Sequence, residues 1–318
     1  MSVLTLIENW EGDFKKTSYE TLSYARNVTN QLNTDLIVLT LGSTQPKQLI
    51  EYGADKVINI SNLKFETTTN KVISDLCVEI IQEYEINTTI IANTNVGKSI
   101  SPLITVKLKD TGLITNAIAL PEKTAPLTVK CKAFSSKAYV KYESNYNSNI
   151  INILPNSIGN INKTPGKGEI INIEKSFEDS IQILDRKKSN EKISLSDAEI
   201  VVSAGRGLKA PENWEMIEEL AELLGAATAC SKPVSDMGWR PHSEHVGQTG
   251  LVVNPELYIA IGISGAIQHL AGVNGSKNIV VINIDADAPF FKGANYGIIG
   301  DAFVIIPKLI EAIKNHKN

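Results

Sequence analysis

The chain has 318 residues, of which 42% are hydrophobic and 21% charged, and its net charge is −4. That length is long for one core and suits two domains. The acidic balance sets nucleic acid and anionic membranes aside as main partners, because either would favour a basic face.

Along the chain, strand and helix patterns alternate. Residues 3–7 read as a strand, and 16–31 as a helix with Tyr19, Leu22, Ala25, Val28 and Leu32 on one face. Residues 36–41 form the next strand, then come a short helix, a strand at 56–60, a helix over 70–84 and a strand at 88–92. Such alternation implies parallel strands with crossover helices. Gly97-Lys98-Ser99 looks like the end of a phosphate loop, but Ala92 stands where the leading glycine belongs. A plain strand-to-helix turn capped by Ser99 or Ser101 is expected instead. From 117 to 173 the runs are β-rich, as at 138–142 and 150–154, and 156–167 is turn-rich. The polar stretch 185–197, DRKKSNEKISLSD, reads as a linker. The division expected is an amino-terminal domain over 1–185, a linker over 186–198 and a second domain over 199–318.

The second domain opens with a buried-strand pattern at 199–204. Gly205-Arg206-Gly207-Leu208-Lys209-Ala210 then matches G-x-G-x-x-A, and Pro211-Glu212 opens a helix through Leu224. Alone the motif is weak. A tight turn that needs glycine would read the same. The apolar run 257–263 breaks at Gly262-Ile263-Ser264-Gly265 and passes into a helical pattern from Ala266. A strand meeting a helix through small residues offers unpaired N–H groups and a positive dipole end, a seat for pyrophosphate. The same stretch lacks the closing glycine of a nucleophile elbow. His242 and His245 have no third ligand beside them, so no metal site is expected. Cys77, Cys131 and Cys230 are scattered without a CxxC spacing, which suits a reducing compartment. No apolar run nears the ~18 residues that span a bilayer, and no leader pattern precedes Val3. A soluble cytoplasmic protein without direct membrane insertion is expected.

Six segments then agree at once: SAGRGL at 203–208, CSKPVSDMGW at 230–239, VGQTG at 246–250, LYIAIGISGAIQHLAG at 257–272, VVINIDADAPFF at 280–291 and YGIIGD at 296–301. In order and spacing they resemble the alpha subunit of electron transfer flavoprotein. The resemblance implies an amino-terminal parallel α/β domain with a β-rich extension, then a doubly wound, Rossmann-like FAD-binding domain. It also implies one FAD and a heterodimer with a beta subunit. Electrons would come from dehydrogenases, typically the acyl-CoA dehydrogenases of fatty acid beta-oxidation, and leave one at a time to a quinone oxidoreductase. The chain would be a carrier with no substrate turnover of its own. Carried onto this sequence, the FAD contacts are Arg206, Ser231, Lys232, Val246, Gly247, Gln248, Thr249, Ser264, Gly265, Ala266, Ile267, Gln268, His269, Asn283 and Asp301. Thr249, Lys232 and His269 would surround the flavin ring, with His269 near its N1/C2=O edge. Asn283 and Asp301 would reach ribose or phosphate. Lys232 stands where the family commonly has arginine, and Ile284 where many members have lysine. Alternatives are a bifurcating flavoprotein with two FADs that oxidises NADH, a flavin or nicotinamide enzyme with its own substrate, and a non-redox nucleotide-binding subunit.

Overall fold

The computed structural model describes every residue except 1, 159–162, 165, 185–193, 196 and 318. Most of the expected linker therefore lies outside the described residues. The chain divides into two compact units, Met1–Ala133 with Ala138–Lys187, and Phe134–Lys137 with Lys188–Asn318.

The first unit is built on one large sheet. Its main strands run, from edge to edge, Ala138–Ser144, Leu127–Ala133, Thr111–Ala117, Ser148–Ile153, Thr88–Ala92, Ser2–Leu6, Asp35–Leu41, Lys56–Ile60 and Glu169–Ile173. From Thr111–Ala117 to Glu169–Ile173 neighbours are parallel, and the remaining edge is an antiparallel hairpin. Alternate side chains feed two cores, as the two-residue period of a strand requires. Val3, Val38, Ile90 and Ile151 pack with Leu22, Ala25 and Val28 of helix Lys16–Leu32. Leu4, Ile37, Ile91 and Ile150 pack with Ile73, Leu76 and Ile80 of helix Asn70–Glu83 and with Ile100 and Ile104 of helix Asn95–Leu108. Of the face expected on helix Lys16–Leu32, Leu32 stays 37% exposed while Tyr24 is fully buried. That helix closes at Asn33 with φ 51°, a left-handed position that asparagine tolerates.

The β-rich extension joins this same sheet. Ser148–Ile153 inserts between Thr88–Ala92 and Thr111–Ala117, and Glu169–Ile173 closes the far edge beside Lys56–Ile60. The capping expected of Ser99 or Ser101 is corrected: the Thr94 hydroxyl accepts from Gly97 N–H at 3.0 Å. Helix Asn95–Leu108 begins four residues before Ser99, so both serines lie inside it and donate back to the carbonyls of Asn95 and Gly97.

The second unit holds a five-stranded sheet in the order Ala227–Cys230, Ile200–Ala204, Leu257–Ile261, Asn278–Asn283 and Tyr296–Ile299, all parallel. Val202, Ala204, Ile259 and Ile261 face helices Glu215–Leu224 and Ala302–Lys317 through Ile217, Leu220, Ile306 and Ile310. Val201, Tyr258, Ala260 and Val281 face the opposite core, with Val273 of helix Ile267–Val273 and Phe290. Helices cover both faces, so this unit is a doubly wound α/β fold. Pro211 opens a 3-10 turn, Pro211–Trp214, before the α-helix begins at Glu215. Counted along the chain, the strand order is 2-1-3-4-5, which reverses direction between Ile200–Ala204 and Leu257–Ile261. Ligands of such sheets bind outside the carboxyl ends of the strands at that reversal. No helix among the described residues is long and apolar enough to cross a membrane.

Candidate functional site

A cleft of about 650 Å³ opens at these strand ends. Arg206 and Gly207 follow Ile200–Ala204. Ser231 and Lys232 follow Ala227–Cys230, and Gly262, Ile263, Ser264 and Ala266 follow Leu257–Ile261. Asn283 and Asp285 come from the end of Asn278–Asn283, and His245 to Thr249 close one wall.

Two close approaches shape the cleft. Gly262 has φ +59°, and a Cβ there would lie 2.8 Å from Gly207 Cα. Any side chain at either position would push the first and third strand ends apart, so Gly207 serves close backbone approach. Elsewhere, a Cβ on Gly272 of helix Ile267–Val273 would lie 2.5 Å from Gly247 N, and Gln248 N–H donates to Gln268 C=O at 2.7 Å. The VGQTG loop thus lies directly on that helix.

The backbone N–H groups of residues 264–268 have no acceptor among the described residues. Five successive free donors at the sheet's reversal point form an anion seat. The Arg206 side chain is exposed beside it and makes no ion pair among the described residues. Lys232 Nζ reaches Asp236 Oδ1 at 3.1 Å.

His269 sits deeper and is only 7% exposed. Its Nε2 lies 3.0 Å from Tyr258 Oη, and its Nδ1 is enclosed, with the Val246 backbone beside the ring. Burial, reinforced by nearby His245, pushes its pKa down to about 4, so the ring is neutral at pH 7. Burial likewise lowers the pKa of His245, which packs inside the loop against Gly250.

Of the expected contacts, Arg206, Ser231, Lys232, Val246, Gly247, Gln248, Thr249, Ser264, Ala266, Gln268, His269 and Asn283 converge on the cleft. Gly265 and Ile267 contribute backbone N–H groups. The Gly265 Cα faces Phe290, and the Ile267 side chain is 63% exposed. Asp301 lies at the start of helix Ala302–Lys317, where its Oδ1 accepts from Phe303 N–H at 3.0 Å. Asn283 spans two loops, donating to Ile263 C=O at 3.0 Å and accepting from Asp285 N–H at 3.0 Å. Gly207, Gly262, Ile263, Pro233, Asp236, His245 and Asp285 also line the cleft. The second glycine of G-x-G-x-x-A and the break after the third strand were signals for the first two.

The donor set fits FAD. Free N–H groups and a guanidinium suit a pyrophosphate, and the cleft that these donors border is long enough in its lining, from Arg206 to Asp285, to take a dinucleotide across the strand ends.

Comparison with known proteins agrees. Residues 3–177 match the family described as "Electron transfer flavoprotein domain", and residues 194–274 match "Electron transfer flavoprotein FAD-binding domain". The "Electron transfer flavoprotein subunit alpha" of Bacillus subtilis (strain 168) is 36% identical over 318 residues, covering 98% of this chain and 97% of the relative. The subunit of the same name from Syntrophomonas wolfei is 33% identical over 312 residues, covering 97% and 98%. The "Lactate dehydrogenase (NAD(+),ferredoxin) subunit LctC" of Acetobacterium woodii is 28% identical over 325 residues, covering 99% of this chain and 78% of the relative. FAD is therefore the cofactor, and electron transfer the role. The chain belongs to the alpha-subunit family of electron transfer flavoproteins.

Proposed function

We propose that this chain is the flavin-holding subunit of a heterodimer with a beta subunit, taking electrons from dehydrogenases of the acyl-CoA type and delivering them to a quinone-linked oxidoreductase. The observation that carries the reading is the row of free N–H donors over residues 264–268 at the sheet's reversal point. Bound there, FAD supplies a ring that accepts an electron pair and can release single electrons. The backbone of 264–268 and Arg206 would hold the pyrophosphate. Ser231, Lys232, Val246, Gly247, Gln248 and Thr249 would border the ring, with Asn283 and Asp301 toward the ribose end. His269, neutral and buried, would offer a hydrogen bond without bringing a charge. Lys232 would keep a positive charge at the cleft mouth as a compact ammonium without a planar fork. The carrier role, with no turnover of a small substrate, follows from this assignment.

A second reading couples NAD to ferredoxin, as the name of the Acetobacterium woodii relative does. Purification with the beta partner distinguishes the two. One flavin per heterodimer, reduced by an acyl-CoA dehydrogenase with its substrate and not by NADH, supports the proposal. Two flavins and NADH oxidation support the second reading. A complex that stays colourless after incubation with FAD overturns both.

A further inference from the structure

The ring of His245 lines the cleft and is only 5% exposed. It also fills the inside of the loop that follows it. A Cβ on Gly250 would lie 2.7 Å from its Nδ1, and a Cβ on Gly247 would lie 3.3 Å from its Nε2. Both arms of the VGQTG loop therefore rest on the imidazole through bare backbone. Gln248 and Thr249, which line the cleft, sit at the tip between those two glycines with exposed side chains.

Backbone hydrogen bonds close the loop around this ring. Leu251 N–H donates to His245 C=O at 2.8 Å and Gly247 N–H to Leu251 C=O at 3.1 Å, and Gln248 N–H ties the tip to Gln268 C=O at 2.7 Å. Residues 247–250 are Gly, Gln, Thr and Gly, so they bring no hydrophobic side chain to a core. The His245 ring takes that place.

A ring serves as such a core only while it is neutral, because an imidazolium needs an acceptor or water at each N–H. The charged and titratable groups around it are Lys232 and Asp236 on the short helix Lys232–Asp236, His242 on the preceding turn and His269 on helix Ile267–Val273. Of these four, only Asp236 favours a positive ring, and it already accepts from Lys232 Nζ at 3.1 Å. Neighbouring Glu244 accepts from Arg240 Nε at 2.8 Å. Burial, reinforced by the Lys232 charge, accordingly lowers the His245 pKa from its ordinary 6.5.

We propose that His245 is a positioning residue: its neutral ring is the core on which residues 246–250 fold against the cleft, and a proton on it releases that wall and loosens FAD. The inference rests on the flavin reading of the cleft. The proton comes from solvent as the loop swings out, so that both imidazolium N–H groups reach water. The wall formed by Gln248 and Thr249 leaves the ligand with it.

The test titrates FAD into the full chain with its beta partner, read by flavin fluorescence, at pH 7.5 and pH 5.5. The loaded loop refuses a proton that the open loop accepts, so affinity is fully present at pH 7.5 and falls as the pH drops through 6.5. A fully refused proton weakens binding about tenfold at pH 5.5, and a loss of at least about threefold is expected. In His245→Gln, neutral at both pH values, the loss should shrink below about twofold, while in His269→Gln it should persist. A smaller wild-type loss than expected overturns the proposal, and that measurement needs no variant. A pH dependence that survives in His245→Gln, or that vanishes in His269→Gln, overturns it too. Lower affinity of His245→Gln at both pH values alike, with the pH dependence intact, would leave the ring a plain packing residue. A complex that takes up no FAD at either pH defeats the flavin reading instead, so the two failures are distinct.

Discussion

Arg206 and His269 mark the two ends of the cleft's chemistry, one exposed and cationic, the other buried and neutral. With no carboxylate paired to it among the described residues, the Arg206 charge is available to an anion. A hydrogen bond to a charged group contributes about 1.5–3 kcal/mol, so Arg206→Gln should weaken FAD binding roughly tenfold to a hundredfold. Flavin fluorescence titration reads this directly, and unchanged affinity would remove Arg206 from the pyrophosphate seat. His269 leaves its mark on stability. Its pKa falls from 6.5 to about 4 on folding, mainly by burial. Between those values the unfolded chain takes up a proton that the folded chain refuses. The stability His269 protects is therefore intact above pH 6.5 and drains away as the pH falls toward 4, by about 3 kcal/mol in full. Urea unfolding at pH 7 and pH 4.5 should show a larger loss for wild type than for His269→Gln. Equal losses would mean that the ring is not held neutral.

At the scale of elements, the cleft exists because two strand ends touch through glycine. Gly262 combines a positive φ with a Cβ position already within 2.8 Å of Gly207 Cα. Gly262→Val should therefore cost about 2–4 kcal/mol by overpacking and strain, and should strip the chain of flavin. Thermal unfolding and flavin content per chain measure both, and a fully flavinated variant of unchanged Tm would refute the account. Such contacts explain what could be read from the chain alone. Leu257–Ile261 and its loop were legible because an apolar run broken by Gly262 and Gly265 is a local signal, and the strands that were read, from 3–7 to 257–263, came within two residues of their bounds, whereas those such as Thr111–Ala117 and Leu127–Ala133 were given no bounds. The insertion of Ser148–Ile153 between two earlier strands was not legible, because pairing over such separations leaves no local periodicity. His245 was seen only as half of a histidine pair. Its packing against Gly250 depends on how the loop folds back on itself. Thr94 was passed over as a cap because the helix starts ahead of its apolar stripe.

On the scale of the whole molecule, the two units have separate cores, two in each, and all residues that line the cleft belong to the second. A ligand that binds only the folded cleft stabilises by mass action, about 2.7 kcal/mol at a hundredfold excess over its dissociation constant. That stabilisation acts first on the segments that hold the ligand. The free N–H groups of residues 264–268 are the sharpest reporters, because they donate to nothing among the described residues and should exchange freely without cofactor. Hydrogen exchange of the chain with its beta partner, compared with and without FAD, should therefore show the largest new protection at 264–268. Smaller gains should appear in the 204–208, 230–232 and 246–250 segments. The strands of the first unit, whose amides are already paired in the large sheet, should change least. Protection gained chiefly in 88–99 would move the nucleotide seat to the first unit, where Gly97-Lys98-Ser99 lies, and would unseat the cleft as the cofactor site.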